Sequence, residues 1–517
     1  MGIYQGSKLM SGGGGGPSPY EIANQNGYNG TEQKFNQLLA ALDQNATKEE
    51  LSNKANLVNG KVPAEQLPTM DYATKGELNN KADLVNGKVP ESQLPSTGGF
   101  KPQIIVTAPT GSTVTATLDS KTYTVTESSG TWTFDVDKYG VYTVTGTLGA
   151  NTASKEVEVN VVQRYAVELS YSHIYGVEWN GTSTTVWSRT DGAASFVDPT
   201  PYFSGASSYD SPFDNLYPWN GMVRVTDSTA GELVAIPKFW YKWTRSGNTM
   251  KLQIADKYVD GFSVSPAHMD RGDGKGERDI VYVGRYHCDA SYKSATGNLP
   301  KGNITRATAR SNIHKLGNTY WLFDYATLWT IQMLYLVEYG DWNTQKTIGY
   351  GGGNGSGAQA VGTSDSMPYH TGTMQSSRST YGVGCQYRHI EDLWGNVFDW
   401  CDGIYFSGAS IYGILNPANF SDSSKGTKIG TRPTSSGWIS AYGAPTASGF
   451  EWALYPSAIN GKESTYVCDY YYYNSSGVTL RFGGGDRDQN RGLFCVSGYS
   501  DASNSHASIG CRLMKLP

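Results

Sequence analysis

Between Arg481 and Leu513 the chain obeys two rules at once, and any fold must satisfy both. Gly483, Gly484 and Gly485, then Gly492-Leu493-Phe494 with Val496, then Ile509-Gly510 and Arg512 make a frame that reads as short strands alternating into a core. Between these fixed points lie almost only small or hydrogen-bonding residues: Asp486, Arg487, Asp488, Asn490, Arg491, Ser497, Tyr499, Ser500, Asp501, Ser503, Asn504, His506 and Ser508. These are expected to face solvent, and with Cys495 they are the candidate contact residues for a partner. The competing reading is a Ser/Asn/Asp-rich surface loop of no special role, since such residues dominate loops.

Upstream, the chain changes character several times. Residues 1–30 include SGGGGGPSP, a flexible leader that cannot fold by itself. Phe35, Leu38, Leu39 and Leu42 then fall on one face of a helix expected from about Thr31 to Asp43, with nothing nearby to cover that face. A short helix so exposed is marginal alone, so it is expected to bundle with copies of itself. TKEELSNKANLVNGKVPAEQLP from Thr47 returns as TKGELNNKADLVNGKVPESQLP from Thr74, a period of 27 residues. Thr47 with Glu50, and Thr74 with Glu77, have capping-box spacing, and Asn59-Gly60 and Asn86-Gly87 mark tight turns. Leu51, Leu57, Val58 and Leu67 are too few and too spread to form a core within one chain, which predicts association with copies of itself over a monomeric linker.

From 100 to 163 the period becomes two. IIVTA, TVTATLD, KTYTVTES, TWTFDVD, VYTVTGTL and KEVEVNVV are six expected strands of a small immunoglobulin-like β-sandwich, without the paired cysteines of antibody domains. Residues 164–517 read as one large α+β domain, with strands at YGVEWN, VAIPKFWYKW and DIVYVGRY. Its clearest helix starts at Asp324, where Leu328, Ile331 and Tyr335 predict a core-facing stripe. The expected fold class is therefore multidomain and mostly β.

Composition narrows the function. A net charge of −5 over 517 residues, with no Lys/Arg cluster, offers no field for nucleic acid. No run of about 18 apolar residues exists to cross a membrane, and the first residues lack the apolar stretch of a secretory signal. Six cysteines without C-x-x-C spacing predict packed, mostly reduced thiols, with a Cys495 to Cys511 link as the one pairing considered. No H-E-x-x-H, G-x-S-x-G, Walker loop or dinucleotide fingerprint occurs, so no catalytic residue is assigned. The glycine run 349–357 reads as a loop, and Arg271-Gly272-Asp273 as an accidental triplet.

The C-terminal frame resembles the variable region of proteins diversified by phage and bacterial retroelements, whose C-type-lectin-like domain carries a GG…GxF…IGFR pattern. Here it reads Gly484-Gly485, Gly492-Leu493-Phe494 and Ile509-Gly510-Cys511-Arg512, with Cys511 in place of Phe, and the variable region is expected at about 481–513. LWGNVFDW, Leu393 to Trp400, is similar to the GNVWEW signature of the formylglycine-generating-enzyme-like branch of that fold. That likeness implies a calcium ion held by Asp392, the carbonyls of Gly395 and Val397, and Asp399; the competing reading is an ordinary packed turn. The enzyme activity of that branch needs a cysteine pair after the frame, and 486–491 contain none, so no enzyme is expected. The 27-residue repeat resembles connector segments of trimeric phage tail fibres. Together these resemblances imply a tail-fibre receptor-binding protein of the virion: attached to tail or baseplate proteins through its N-terminus, binding a host cell-surface protein or glycan, and setting host tropism. The alternatives are a bacterial surface adhesin or lectin and, behind it, a glycan-degrading tail enzyme built on a carboxylate pair.

Overall fold

The computed structural model describes residues 101–517 except 149–150, 354–356, 377–381, 424–425 and 485–490. The leader, the helix and the repeats expected at 1–99 lie outside the described residues, as do Asp486, Arg487, Asp488 and Asn490. What is described is mostly β, shared among several sheets. No described helix is long and apolar enough to cross a membrane.

All six strands expected between 100 and 163 form, as two sheets around one apolar core. One sheet has the order Thr131–Asp135, Gln103–Thr107, Arg164–Glu168; the other runs Lys121–Thr124, Thr113–Leu118, Gly140–Leu148, Asn151–Val159. Ile104, Val106, Val114, Ala116, Trp132 and Phe134 are buried at every second position, as a pleat requires. The sandwich does not stop at residue 163. Arg164–Glu168 adds a seventh strand parallel to Gln103–Thr107, with Val167 opposite Val106, and Leu169 and Tyr171 complete the core. Alternation continues through that stretch, so the two sheets gain buried area by including it.

The larger C-terminal part is organised around the helix Tyr325–Tyr339. Asp324 caps its start by accepting the Thr327 N–H at 2.8 Å, and Gly340, at φ 59°, ends it in the left-handed conformation that glycine adopts most easily. The expected apolar stripe is an understatement, because every one of its residues is buried. Strands Ile174–Trp179, Thr249–Ala255 and Phe398–Ser407 all pack on it, so no face is left for water. Two of its polar side chains are tied to other segments: Glu338 binds Arg388 at 2.7 Å, and Gln332 Nε2 donates to the Leu493 carbonyl at 2.9 Å.

Two sheets carry the C-terminal frame. In one, Leu513–Lys515 is inserted between Ile280–Gly284 and Tyr320–Leu322, antiparallel to both. In the other, the strand order is Thr427–Thr431, Ser410–Gly413, Phe398–Ser407, Thr479–Phe482, Val496–Gly498, Tyr470–Tyr473, Gly437–Trp438. Ile509–Gly510 joins it beside Phe398–Ser407, with Phe398 opposite Ile509 and Asp399 opposite Gly510. Asp399 also lies opposite Phe482. The two sequence motifs at 393–400 and 481–513, some eighty residues apart along the chain, are therefore hydrogen-bonded neighbours.

Candidate functional site

Buried polar groups hold the Gly492-Leu493-Phe494 part of the frame. Asp469 accepts the N–H groups of Gly492 and Phe494 at 2.6 and 2.8 Å. Thr344 accepts that of Leu493 at 3.1 Å, and Gln332 caps its carbonyl. Gly492 is required here, since a Cβ would fall 2.5 Å from the Thr344 hydroxyl. Gly483, at φ 83°, crosses the Leu393 carbonyl so closely that a Cβ would lie 2.7 Å from it. Burial pushes the Asp469 carboxyl up to about 7, with its backbone hydrogen bonds pulling the other way.

Arg512 is the central clamp. Fully buried, it donates to the carbonyls of Gly284, Arg285, Glu391 and Asp392 at 2.8 to 3.0 Å and to the Asp399 carboxylate at 3.2 Å. His287 Nδ1 sits 3.0 Å from the other Asp399 oxygen. Burial raises the Asp399 pKa, but the charges of His287 and Arg512 outweigh it and hold the carboxyl below its usual range. Asp392 Oδ1 is likewise taken, by the N–H groups of Gly352 and Cys385 at 2.9 and 3.1 Å. Calcium needs six to eight oxygens turned toward it, whereas one oxygen of Asp399 faces His287 and the other Arg512, and the carbonyls of Glu391 and Asp392 accept from the Arg512 guanidinium. The residues present do not fit a calcium ion shared by Asp392 and Asp399. Gly395, at φ 89°, packs against the backbone of Gly351, which is the geometry of a tight packed turn.

The expected contact residues divide. Tyr499, Asp501, Ser503 and His506 are exposed on the loop that leaves Val496–Gly498 and returns to Ile509–Gly510, while Asn504 and Ser508 are half-buried. Asp501 accepts the N–H and hydroxyl of Ser503 at 2.8 and 2.7 Å, and the His506 carbonyl accepts the Asn303 N–H at 3.0 Å. The loop is thus exposed yet tied at several points. Three of the candidate contact residues are buried. Cys495 is sealed in an apolar cluster with Trp400, Ile509 and Cys511. Ser497 lies between two paired strands with the Arg481 side chain across it, Nε to Oγ at 3.1 Å. Ser500 is drawn inward because its carbonyl accepts the N–H groups of Val478 and Thr479. Short polar side chains gave no clue to this, since their burial depends on the larger side chains that cover them.

Of the larger neighbours, Tyr470 to Tyr473 read in the sequence either as an aromatic wall beside the contact residues or as buried strand packing. Tyr471 points into the core, but Tyr470 and Tyr472 alternate to the outer face and remain half-buried, as does Trp438 on the next strand. Ring contacts run continuously from Trp438 to Tyr470 (5.5 Å), Tyr470 to Tyr472 (4.8 Å) and Tyr472 to Phe398 (6.4 Å). The guanidiniums of Arg481 and Arg491 both stack on Phe398, at 4.5 and 5.3 Å, and Arg491 Nε donates to the Tyr472 hydroxyl at 3.1 Å. The period-two pattern of YYYY held this signal.

Other sequence features resolve plainly. Arg271 is buried against Asp324 and Asp273 pairs with Arg278, so that triplet presents no adhesive tip. All six cysteines are free and buried; the neighbouring Cys288 thiol and burial push the Cys511 pKa up, and Cys495 has no disulfide to it. Asp214, His370 and Thr371 stand in a catalytic-looking line with 2.8 Å spacings, yet Thr371 is fully buried and accepts the Arg388 N–H at 3.0 Å, so its hydroxyl cannot meet a substrate. No protein-family model matches this chain, and none of the curated proteins searched matches it either.

Proposed function

We propose that this chain is a phage tail-fibre receptor-binding protein, in which residues 31–99 form a homotrimeric stalk, an immunoglobulin-like sandwich acts as spacer, and a C-type-lectin-like domain attaches to the host surface. The N-terminus joins the tail, the protein travels in the virion, and the C-terminal domain binds a ligand without transforming it. One observation carries the reading: Tyr499, Asp501, Ser503 and His506 are exposed on a loop whose two ends belong to a fully buried frame. Such a loop exchanges side chains at little cost to the scaffold, because surface substitutions away from packed or paired groups usually shift stability by only about 0.5 kcal/mol. Tyr offers rigid contact area and Ser, Asn and Asp offer adaptable hydrogen bonds, the mixture used by antibody loops. Three copies on one fibre multiply weak contacts, by roughly 10² to 10⁴ in avidity.

The test replaces Tyr499, Asp501 and His506 together by alanine. The variant should lose adsorption to host cells while keeping the unfolding midpoint of the parent. Normal adsorption by a folded variant would refute the assignment of this surface.

A further inference from the structure

Arg481 differs from the other buried or half-buried arginines of its domain. Arg271, Arg306, Arg310, Arg388 and Arg512 each have a carboxylate within ion-pairing distance, and Arg432 donates to the carbonyls of Gly408, Asn474, Gly477 and Gly498. Arg481 has, among the described residues, one hydroxyl partner and one aromatic ring. A second guanidinium, that of Arg491, stacks on the same ring. Burial and that like charge lower its pKa to about 10, so it stays charged at neutral pH. The Arg481 side chain is half-buried. A partly desolvated cation, held in place and without a counter-ion among the described residues, suits an oxyanion, because paired guanidinium N–H groups match a carboxylate in geometry and charge.

What flanks the cation narrows the ligand further. Tyr472, Tyr470 and Trp438 continue from Phe398 as a half-buried ridge, so an anion on Arg481 would have an aromatic surface beside it. Aromatic rings with polar tips suit a partner that is apolar on one face and hydroxylated at its rim. A pyranose has that form.

We propose that Arg481 and the Tyr470/Trp438 ridge form a subsite for an acidic saccharide, in which a sugar carboxylate pairs with the guanidinium and the C–H face of a neighbouring pyranose lies on the rings. The proposal rests on the reading that this domain attaches to a host-surface ligand, and supplies that ligand's class.

The experiment titrates the full-length protein calorimetrically with a tetrasaccharide of galacturonic acid, a neutral galactose tetrasaccharide, and acetate as a bare anion. The acidic tetrasaccharide should bind, the neutral one at least about tenfold more weakly, and acetate at matched charge should neither bind nor compete. Arg481→Gln should weaken the acidic ligand about tenfold or more at an unchanged unfolding midpoint. Trp438→Ala should weaken it several-fold with the charge intact, and serves alone if the first variant misfolds. Equal affinity for the two tetrasaccharides, no binding of the acidic one, or indifference to both substitutions would overturn the subsite. Competition by acetate at equal strength would reduce it to an anion site and also overturn it. If it fails while the Tyr499/Asp501/His506 variant still loses adsorption, the receptor is engaged through other chemistry and the proposed function stands; if that variant adsorbs normally, the function itself falls.

Discussion

Replacing Arg512 by alanine should cost more than any other single change in the frame. The substitution leaves Asp399 buried with His287 alone, and strips the donor from four carbonyls that Arg512 now satisfies. Removing one partner of a buried ion pair typically costs about 3–5 kcal/mol, a fifth or more of the roughly 5–15 kcal/mol that stabilises a domain. Arg512→Lys restores the charge but has at most three donors for five contacts, so its loss should be about half as large. A double-mutant cycle with Asp399→Asn should show coupling on the order of 1–3 kcal/mol, since the two side chains share a network. Acid sensitivity gives an independent reading. Asp399 titrates below its usual range when folded, so its contribution is present above about pH 4 and fades as pH falls through the folded pKa. Without Arg512 that fading should begin at higher pH. The assay is urea unfolding of the full-length protein, followed by tryptophan fluorescence at pH 7 and pH 4. A loss under about 1 kcal/mol for the alanine variant, or no coupling in the cycle, would refute the view that Arg512 holds the frame.

The other predictions are more local. The Tyr499/Asp501/His506 triple variant should abolish host adsorption at unchanged stability, measured by cell-binding and thermal melting. Arg481→Gln should selectively weaken an acidic tetrasaccharide over its neutral counterpart, read by calorimetry. Sedimentation of the full-length protein should report three copies, and a monomer retaining residues 31–99 would remove the stalk from the proposal. Alkylation of the native protein should label none of the six cysteines, and unfolding should expose all six; a peptide linking Cys495 to Cys511 would contradict the buried, unpaired thiols.

Much of this architecture was legible in the sequence because it rests on local patterns. Alternation revealed the six sandwich strands, and glycines with apolar partners marked the frame at Gly483, Gly492 and Ile509-Gly510. The seventh sandwich strand was missed because RYAVE carries only a weak alternating signal and its partner, Gln103–Thr107, lies sixty residues earlier. The clamps Asp469, Thr344, Gln332 and Arg512 act across 23 to 228 residues, and no spacing rule points to them. The site divided in the same way. Exposure of Tyr499, Asp501 and His506 followed from a turn-rich composition, whereas burial of Ser497 and Ser500 follows from what folds over them. The two carboxylates read as calcium ligands show the limit most plainly. Their neighbours in sequence matched a metal loop, while their neighbours in space are a histidine, an arginine and backbone amides.

The position of Leu513–Lys515 in the middle of its sheet has a consequence for synthesis. Until the ribosome delivers that segment, Ile280–Gly284 and Tyr320–Leu322 have no strand to join them and keep unsatisfied backbone edges. Those two strands are therefore joined only once Leu513–Lys515 has been translated, after the loop 499–508. A frameshift or early stop within that loop removes the closing piece and leaves a chain that cannot mature.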